Sequence, residues 1–177
     1  MIYDDLYRYT GKKTFFLLIR YILFTPGYRY VFFFRKCQQS TNRLVRVFYL
    51  VFMRLCMLRT GIQIPYQTKI DAGFRIVHFG TIVINPEAKI GKNFNIANGV
   101  TIGSSFGKTS GVPTIGNNVY VSAGAVIVGG VKIGDDVLIA PNAFVNSDVP
   151  DGSIAIGNPC KIIKKEKASN RYIVYKI

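Results

Sequence analysis

The chain has 177 residues, of which 49% are hydrophobic and 14% aromatic, a composition that excludes a disordered chain. Its formal net charge of +14 is unevenly spread. Residues 1–60 hold eleven Lys and Arg against two acids, whereas residues 61–177 hold twelve against seven. Fifteen of the 24 Tyr and Phe also lie in residues 1–60. This shift in composition predicts a boundary near residue 60.

The three cysteines, Cys37, Cys56 and Cys160, are odd in number and far apart, so they indicate neither a disulfide framework nor a metal site. A reduced compartment is the expected setting. Residues 12–24 faintly resemble a signal peptide, but Arg20 interrupts the apolar run and no small-residue cleavage site follows. We therefore expect a cytoplasmic protein.

Two apolar, aromatic stretches dominate the first sixty residues, at 15–24 and 44–58. Both are too short, and too often interrupted by Arg, to span a bilayer. On a helical wheel Arg43, Arg46 and Arg54 fall within about eighty degrees of each other, and apolar groups occupy most of the remaining surface.

Residues 1–60 therefore allow two interpretations. A helix with a narrow cationic stripe and a wide aromatic surface suits the interface of an anionic membrane. Alternatively, the segment is a helical cap that packs on the rest of the molecule and on neighbouring subunits. We favour peripheral contact with the inner face of the cell membrane, because a cap would offer few acids to pair with this charge. No recognition motif accompanies the basic patch, so nucleic-acid binding is not expected.

From residue 64 onward an aliphatic residue returns every six positions, with two interruptions. A period of six fits neither the 3.6 of a helix nor the two of an ordinary strand. It predicts a coil of three short strands whose aliphatic side chains stack into an interior ladder, with Gly and Asn at the corners. The aliphatic series is Ile64, Ile70, Ile76, Ile84, Ile90, Ile96, Ile102, Ile115, Val121, Ile127, Ile133, Ile139 and Val145.

This repeat, together with the segments RIVHFGTIVIN and GNPCKIIKK, resembles the hexapeptide-repeat acyltransferases. The resemblance runs from Ile62 to Ile163, and it is closest to the serine acetyltransferase branch and its relatives in capsule and exopolysaccharide clusters. It implies a mainly β fold: a left-handed parallel β-helix over residues 61–160, after the helical segment 1–60 and before a basic tail, 161–177. It also implies a homotrimer and acetyl-CoA as the acyl donor.

The first interruption surrounds His78, because Ile76 and Ile84 are eight residues apart instead of six. His78 is the sole histidine of the chain. The unperturbed pKa of histidine lies near neutrality, which suits it to take a proton from a hydroxyl that attacks a thioester. A lone histidine in a strand is often only structural. Its place in an insertion and its match to the family's catalytic segment favour a general base.

Two positions depart from the serine acetyltransferases. The family's Asp, about fifteen residues before the catalytic histidine, falls on Gln63, and its second histidine falls near Val112. Gln63 is thus one candidate for orienting the imidazole or binding the acceptor. Asp71 is another, although an Asp at a corner beside Gly73 is also a common turn residue. Both departures bear on binding the charged head of serine.

The second interruption is the glycine-rich loop Gly103–Thr114, which resembles the arm that covers the thiol end of CoA in this family. The resemblance further implies that small corner residues lie along the pantetheine arm and that late lysines meet the nucleotide phosphate. The candidate CoA-binding residues are Gly103, Ser104, Lys108, Ala123, Gly124, Ala140, Pro141, Lys161 and Lys164.

These observations lead to a prediction of an acetyl-CoA-dependent O-acetyltransferase with direct transfer and no metal. The predicted acceptor is a sugar hydroxyl of a bacterial surface polysaccharide or of its lipid-linked precursor. The alternative enzyme is a serine O-acetyltransferase of cysteine biosynthesis, against which Gln63 weighs. The remaining alternative is a β-helix scaffold without catalytic activity.

Overall fold

The computed structural model describes residues 1–107 and 109–177. Within them, short strands wind the segment 62–156 into a parallel β-helix with three strands in each turn. Successive turns stack strand on strand, so the strands form three flat sheets around a single interior. The mainly β fold predicted from the period of six is confirmed, and so is the helical segment that precedes it.

Each sheet collects one strand from successive turns. Sheet A contains β1 (Ile62–Gln63), β4 (Ile82–Ile84), β7 (Thr101–Gly103), β10 (Val126–Val128) and β13 (Phe144–Val145). Sheet B contains β2 (Lys69–Ile70), β5 (Lys89–Ile90), β8 (Thr114–Ile115) and β11 (Lys132–Ile133). Sheet C contains β3 (Arg75–Ile76), β6 (Asn95–Ile96), β9 (Tyr120–Val121), β12 (Val137–Ile139), β14 (Ser153–Ile156) and the antiparallel β15 (Lys161–Lys164).

The repeated aliphatic residues form the predicted interior ladder. In sheet B, Ile70 pairs with Ile90, which pairs with Ile115, so equal positions of the repeat lie above one another. All three side chains are buried. Phe74 and Phe94 extend the ladder as stacked rings whose centroids are 5.9 Å apart. Burying one such side chain contributes roughly 1.5–3 kcal/mol, so the ladder is the main source of stability for the coil.

Four helices precede the β-helix, and local sequence signals set their ends. Thr14 caps one helix by accepting a hydrogen bond from a backbone N–H, and Asn42 caps another in the same way. Pro26 occupies the first turn of the third helix, where its missing N–H costs nothing, and Gly61 ends the fourth in the left-handed conformation. The helices are α1 (Ile2–Thr10), α2 (Phe15–Phe24), α3 (Pro26–Gln39) and α4 (Arg43–Thr60).

Helices α1 and α3 cap the first turns of the β-helix through a buried ion pair. Nε of Arg35 lies 2.7 Å from Oδ2 of Asp5, and both side chains are fully buried. Oδ1 of Asp5 accepts hydrogen bonds of 2.8 Å from the backbone N–H groups of Gly73 and Phe74. Arg35 also donates to the carbonyl of Ile70 at 2.5 Å. The two charges therefore tie the helices to backbone groups that would otherwise be buried without partners.

Helices α2 and α4 differ from this cap, because most of their apolar side chains are exposed. Of the part of the chain that the structure describes, no helix is long and apolar enough to cross a bilayer. The exposed apolar set, called the α2–α4 surface below, comprises Phe15, Phe16, Ile19, Leu23 and Phe24 of α2 and Leu44, Val45, Val47, Phe48, Val51, Phe52, Leu55 and Leu58 of α4.

The end of the chain covers sheet C instead of forming a separate tail from residue 161. Residues Lys161–Lys164 pair with β14 as β15, which extends the sheet past the predicted boundary at residue 160. Beyond them, Asp136 accepts hydrogen bonds from the N–H and hydroxyl of Ser169. The ring of Tyr172 packs 5.0 Å from that of Tyr120, centroid to centroid. The end of the chain thus covers part of the outer face of sheet C.

Candidate active site

His78 lies on the edge of the β-helix where the chain leaves sheet C and enters sheet A, called the C–A edge below. The strand β3 ends at Ile76, and the two extra residues of this turn make a bulge before β4 begins at Ile82. The bulge leaves the imidazole of His78 exposed. Among the described residues, no hydrogen bond to this imidazole is found, so both ring nitrogens are free to meet substrate.

The corners of successive turns stack along the C–A edge. The N–H of Gly99 donates to the carbonyl of Thr81 at 2.6 Å, and the N–H of Gly124 donates to Asn98 at 3.0 Å. In the next turn, the N–H of Asn142 donates to the carbonyl of Ala123 at 3.0 Å. Stacked strands are about 4.8 Å apart, so the last of these corners lies roughly 14 Å beyond His78. Four predicted CoA-binding residues lie on this edge: Ala123, Gly124, Ala140 and Pro141.

Gly124 shows why this edge presents bare backbone. Its φ is +72°, a conformation that favours glycine, and a Cβ atom there would collide with Oδ1 of Asn142. Ala123 and Ala140 add only methyl groups on either side. A slender, flexible chain such as a thioester arm can therefore approach the main chain closely along the edge.

The glycine-rich loop lies on a different edge, between sheets A and B. The N–H groups of Ser105 and Gly111 each donate to the other's carbonyl, at 3.2 and 3.3 Å, which makes the loop a short arm. Gly103 ends β7 at the base of the arm, Ser104 is exposed beside it, and Phe106 near the tip is 95% exposed. Lys108 lies outside the described residues. Within one chain, the width of sheet A separates this arm from His78.

The remaining predicted residues are spread over the molecule. Gln63 is exposed on β1, one turn before β4 in sheet A. Asp71 is exposed where the chain passes from sheet B to sheet C, so a single chain does not bring its carboxylate to the C–A edge. Lys161 and Lys164 are exposed on β15. The structure thus gathers the corner residues with His78, places Gln63 beside Val83 on the strand next to β4, and leaves Asp71 on another edge.

His78 also lines a cleft of about 410 Å³ whose opposite wall is helical. Its lining residues come from α1, α2, the start of α3 and the segment around β3, and none of them is acidic. They are Tyr9, Tyr21, Phe24, Thr25, Pro26, Gly27, Arg75, Ile76, Val77, His78 and Phe79. The helical segment therefore forms part of the site, a role that sequence patterns alone did not reveal.

Tyr9 fixes the strand that leads to His78. Its hydroxyl accepts a hydrogen bond from the N–H of Ile76 at 2.9 Å and donates one to the carbonyl of the same residue at 3.1 Å. Burial raises the pKa of Tyr9, so the hydroxyl stays protonated and can make both bonds. Arg75 lies beside it, with Cζ 5.3 Å from the centre of the Tyr9 ring. Neither residue carried a signal in the sequence, because the hydrogen bonds of Tyr9 join positions 67 residues apart.

The three sheets and the stacked corners define a class of repeat-built transferases, and comparison with known proteins agrees. The family described as Bacterial transferase hexapeptide (six repeats) matches residues 113–147. A serine acetyltransferase of Helicobacter pylori is 37% identical over 148 residues, which cover 82% of this chain and 86% of that protein. A serine acetyltransferase of Mycobacterium tuberculosis is 32% identical over 146 residues, 81% of this chain and 63% of that protein.

Among solved structures, soybean serine acetyltransferase complexed with serine has a TM-score of 0.73 and 26% identity, covering 92% of this chain and 67% of that one. The chain belongs to the hexapeptide-repeat transferase family. Within it, the relatives that it matches over most of its length are serine acetyltransferases, and the chain is an acetyl-CoA-dependent acyltransferase. The alternative of a scaffold without catalytic activity is therefore wrong.

The prediction of a sugar acceptor in surface-polysaccharide synthesis is also wrong. The relatives found are named for acetylation of serine, and a similar solved structure holds serine itself. The sequence interpretation gave too much weight to Gln63 and Val112, where two family residues are missing, and to the basic first sixty residues. The structure shows that this basic segment includes part of the wall of the His78 cleft.

Proposed function

We propose that this chain is a serine O-acetyltransferase, which transfers the acetyl group of acetyl-CoA to the hydroxyl of L-serine. The observation that carries the proposal is the position of His78, at the meeting point of a small polar cleft and a backbone-lined edge. The cleft has room for an amino acid, and the edge suits an extended thioester arm. The similarity to serine acetyltransferases over 82% of the chain supports the acceptor.

In this proposal His78 is the general base. Its neutral imidazole takes the proton of the serine hydroxyl while the hydroxyl oxygen forms a bond to the acetyl carbonyl carbon. When the carbon–sulfur bond breaks, the imidazolium returns that proton to the departing sulfur, so O-acetylserine and free CoA leave and the enzyme is unchanged. Backbone N–H groups are suitable donors to the carbonyl oxygen as it gains negative charge.

In the proposal, acetyl-CoA binds along the C–A edge. Ala123, Gly124, Ala140 and Pro141 flank the pantetheine arm, and Lys161 and Lys164 offer cations to the phosphates. The arm that carries Gly103, Ser104 and Lys108 covers the thiol end. Bound acetyl-CoA supplies the activated acetyl group, and the protein aligns that group with the serine hydroxyl.

We further propose that the complete site forms between copies in a homotrimer. Sheet C is partly covered by the end of the chain, and sheet B presents Lys69, Lys89 and Lys132 to solvent. Sheet A instead presents a mostly apolar, half-buried stripe, which includes Val126 and Phe144. Packing of sheet A between copies would bring the arm of one copy, with the exposed Phe106, towards the C–A edge of the next. Such a shared site explains why one chain separates the arm from His78.

The α2–α4 surface suggests a third element of the proposal, contact with an anionic membrane. Between Asp5 and Asp71 the sequence contains no acid, and exposed cations lie among the apolar side chains of α4, including Arg43, Arg54 and Arg59. A second copy would bring the same positive charge against this surface and be repelled. Anionic headgroups would instead be attracted, while the apolar side chains enter the interface.

The acceptor is tested by incubating the full chain with acetyl-CoA and either L-serine, L-threonine or a panel of nucleotide sugars, and measuring free thiol. We expect thiol release with L-serine, together with O-acetylserine identified by mass spectrometry. Release with a sugar and none with serine would overturn the proposed acceptor. Analytical ultracentrifugation of the same sample tests the trimer, since active monomers of 19.8 kDa would contradict a shared site.

A further inference from the structure

Arg75 is a cation without a visible partner in the cleft that contains His78. Its Nε atom is buried and has no hydrogen-bond partner in the part of the chain that the structure describes. The ion pairs found among the described residues involve only Asp4 and Asp5, and Asp5 is already held by Arg35. A buried guanidinium nitrogen without a partner is costly, so the site favours an anionic ligand.

The surroundings of Arg75 strengthen this preference for an anion. The residues that line the cleft include no acid. Arg8 is close enough that its own burial, together with the charge of Arg75, lowers the pKa of Arg8 to about 10. Arg8 donates to uncharged oxygen atoms, including Oδ1 of Asn95 at 2.7 Å, so it adds a second positive charge near Arg75. The positive charge on this wall of the cleft is therefore uncompensated.

The guanidinium of Arg75 also lies against a ring that is itself fixed. It lies over the ring of Tyr9, 5.3 Å from the ring centre, and the hydroxyl of Tyr9 is fixed by its two hydrogen bonds to Ile76. A planar guanidinium can present its N–H groups side by side, which matches the two oxygens of a carboxylate. Because Arg75 precedes His78 by three residues, their Cα atoms are at most about 11 Å apart.

We propose that Arg75 binds the α-carboxylate of the amino-acid acceptor and so directs the acceptor's hydroxyl towards His78. This assignment rests on the proposed serine acetyltransferase function. The carboxylate of an amino acid needs a cationic partner. In this chain Gln63 and Val112 stand where the family has an Asp and a second histidine, and Arg75 supplies the cation instead. Arg75 thereby determines acceptor specificity, whereas His78 carries out the proton transfer.

The test compares L-serine with L-serinamide, which lacks the carboxylate charge, in the wild type and in Arg75→Gln. Loss of a hydrogen bond to a charged group corresponds to about a tenfold to hundredfold change. We expect Arg75→Gln to raise the KM for L-serine by that factor, with kcat and the KM for acetyl-CoA nearly unchanged. The preference of the wild type for serine over serinamide should disappear in the variant. Arg75→Lys keeps the positive charge but loses the paired N–H groups of the guanidinium, so its KM for L-serine should lie between those of the wild type and Arg75→Gln.

Arg171→Gln is the matched control, because it removes the same charge from an exposed position in the C-terminal segment. Its kinetics should equal those of the wild type. An unchanged preference for serine in Arg75→Gln would overturn the assignment of Arg75 while leaving the proposed function intact. Loss of the trimer in Arg75→Gln, with normal serine KM in the remaining assembly, would show that a neighbouring copy is the partner of Arg75 and would also overturn it. A wild type that does not acetylate serine would refute the proposed function itself.

Discussion

In the β-helix every turn repeats one buried aliphatic position, whereas the helical region contacts the β-helix through side chains that do not repeat, namely apolar groups such as Phe34 and a few buried charges. The ladder of isoleucines spans the coil, and each member resembles the next. Among the described residues, the buried charged side chains are Asp5, Arg8 and Arg35, and each bonds to backbone or side chains far away in sequence. The stability of the β-helix is therefore distributed over many equal contacts, whereas the attachment of the helices depends on contacts that each occur once.

The largest effect is expected at the C–A edge of the β-helix. His78→Ala should lower kcat about 10²–10⁴-fold, the usual contribution of a positioned acid–base group. The KM for acetyl-CoA should stay nearly constant, since the proposed donor contacts lie in later turns. Steady-state kinetics with thiol detection measure both, and Lys89→Gln on the exposed face of sheet B serves as the control. Wild-type turnover in His78→Ala would contradict the catalytic assignment.

The attachment of the helical region can be broken at a single charge. Asp5→Asn leaves Arg35 buried without a counter-charge, so the free energy of unfolding should fall by about 3–5 kcal/mol. Asp4→Asn provides a neighbouring control, because the bridges of Asp4 to Lys13 and to the N-terminus are partly exposed and should contribute less than about 1 kcal/mol. Urea unfolding followed by circular dichroism measures both changes. Equal losses in the two variants would show that the buried pair does not hold the cap.

A pair of leucine- and isoleucine-to-alanine substitutions sharpens the contrast between the two regions. Ile127 is fully buried in the ladder, and Ile127→Ala should lower the free energy of unfolding by about 2–5 kcal/mol. Leu44 in α4 is 80% exposed, and Leu44→Ala should change it by no more than about 0.5 kcal/mol. Urea titrations at one protein concentration make the comparison. A large loss for Leu44→Ala would mean that α4 is buried in the assembly.

This difference between regions also explains what could be predicted from sequence. Equivalent positions of the repeat carry the same type of residue in every turn. The period of six was therefore enough to predict the coil, the interior ladder and the bulge at His78. The apolar stretches 15–24 and 44–58 correspond to α2 and α4. A buried ion pair between Asp5 and Arg35 occurs once and joins distant residues, so no local pattern could indicate it.

The candidate active site likewise combines residues from the repeat with residues that depend on the packing of the helices. His78, Ala123, Gly124 and Ala140 lie at matching corners of the repeat and come together as soon as the coil forms. Tyr9 and Arg75 meet only because α1 packs on β3. The prediction of a sugar as acceptor was wrong because it relied on Gln63, Val112 and the basic first sixty residues, and the packing of those helices beside His78 leaves no periodic signal in the sequence.

The smallest effect is expected at the α2–α4 surface. Arg54→Gln should weaken binding to vesicles that contain phosphatidylglycerol about fivefold, because each basic residue near an anionic surface contributes about 1 kcal/mol. Binding should fall as salt is added and should be weak on phosphatidylcholine alone. Cosedimentation with vesicles measures these differences, and Lys89→Gln again gives the control. Absence of vesicle binding, with self-association that Leu44→Ser disrupts, would instead identify a second copy as the occupant.

Because the two hydrogen bonds between Tyr9 and Ile76 join the helices to β3, the proposed binding sites for the acceptor and for the thioester arm are built from different parts of the chain. One wall of the proposed acceptor cleft is made of helices, while the C–A edge is made by the coil alone. Substitutions in α1 or α2 can therefore reshape the space for the acceptor without disturbing a single corner of the repeat. A new acceptor could be selected in a library confined to the residues of α1 and α2 that face the cleft, with Tyr9 kept so that β3 stays in place.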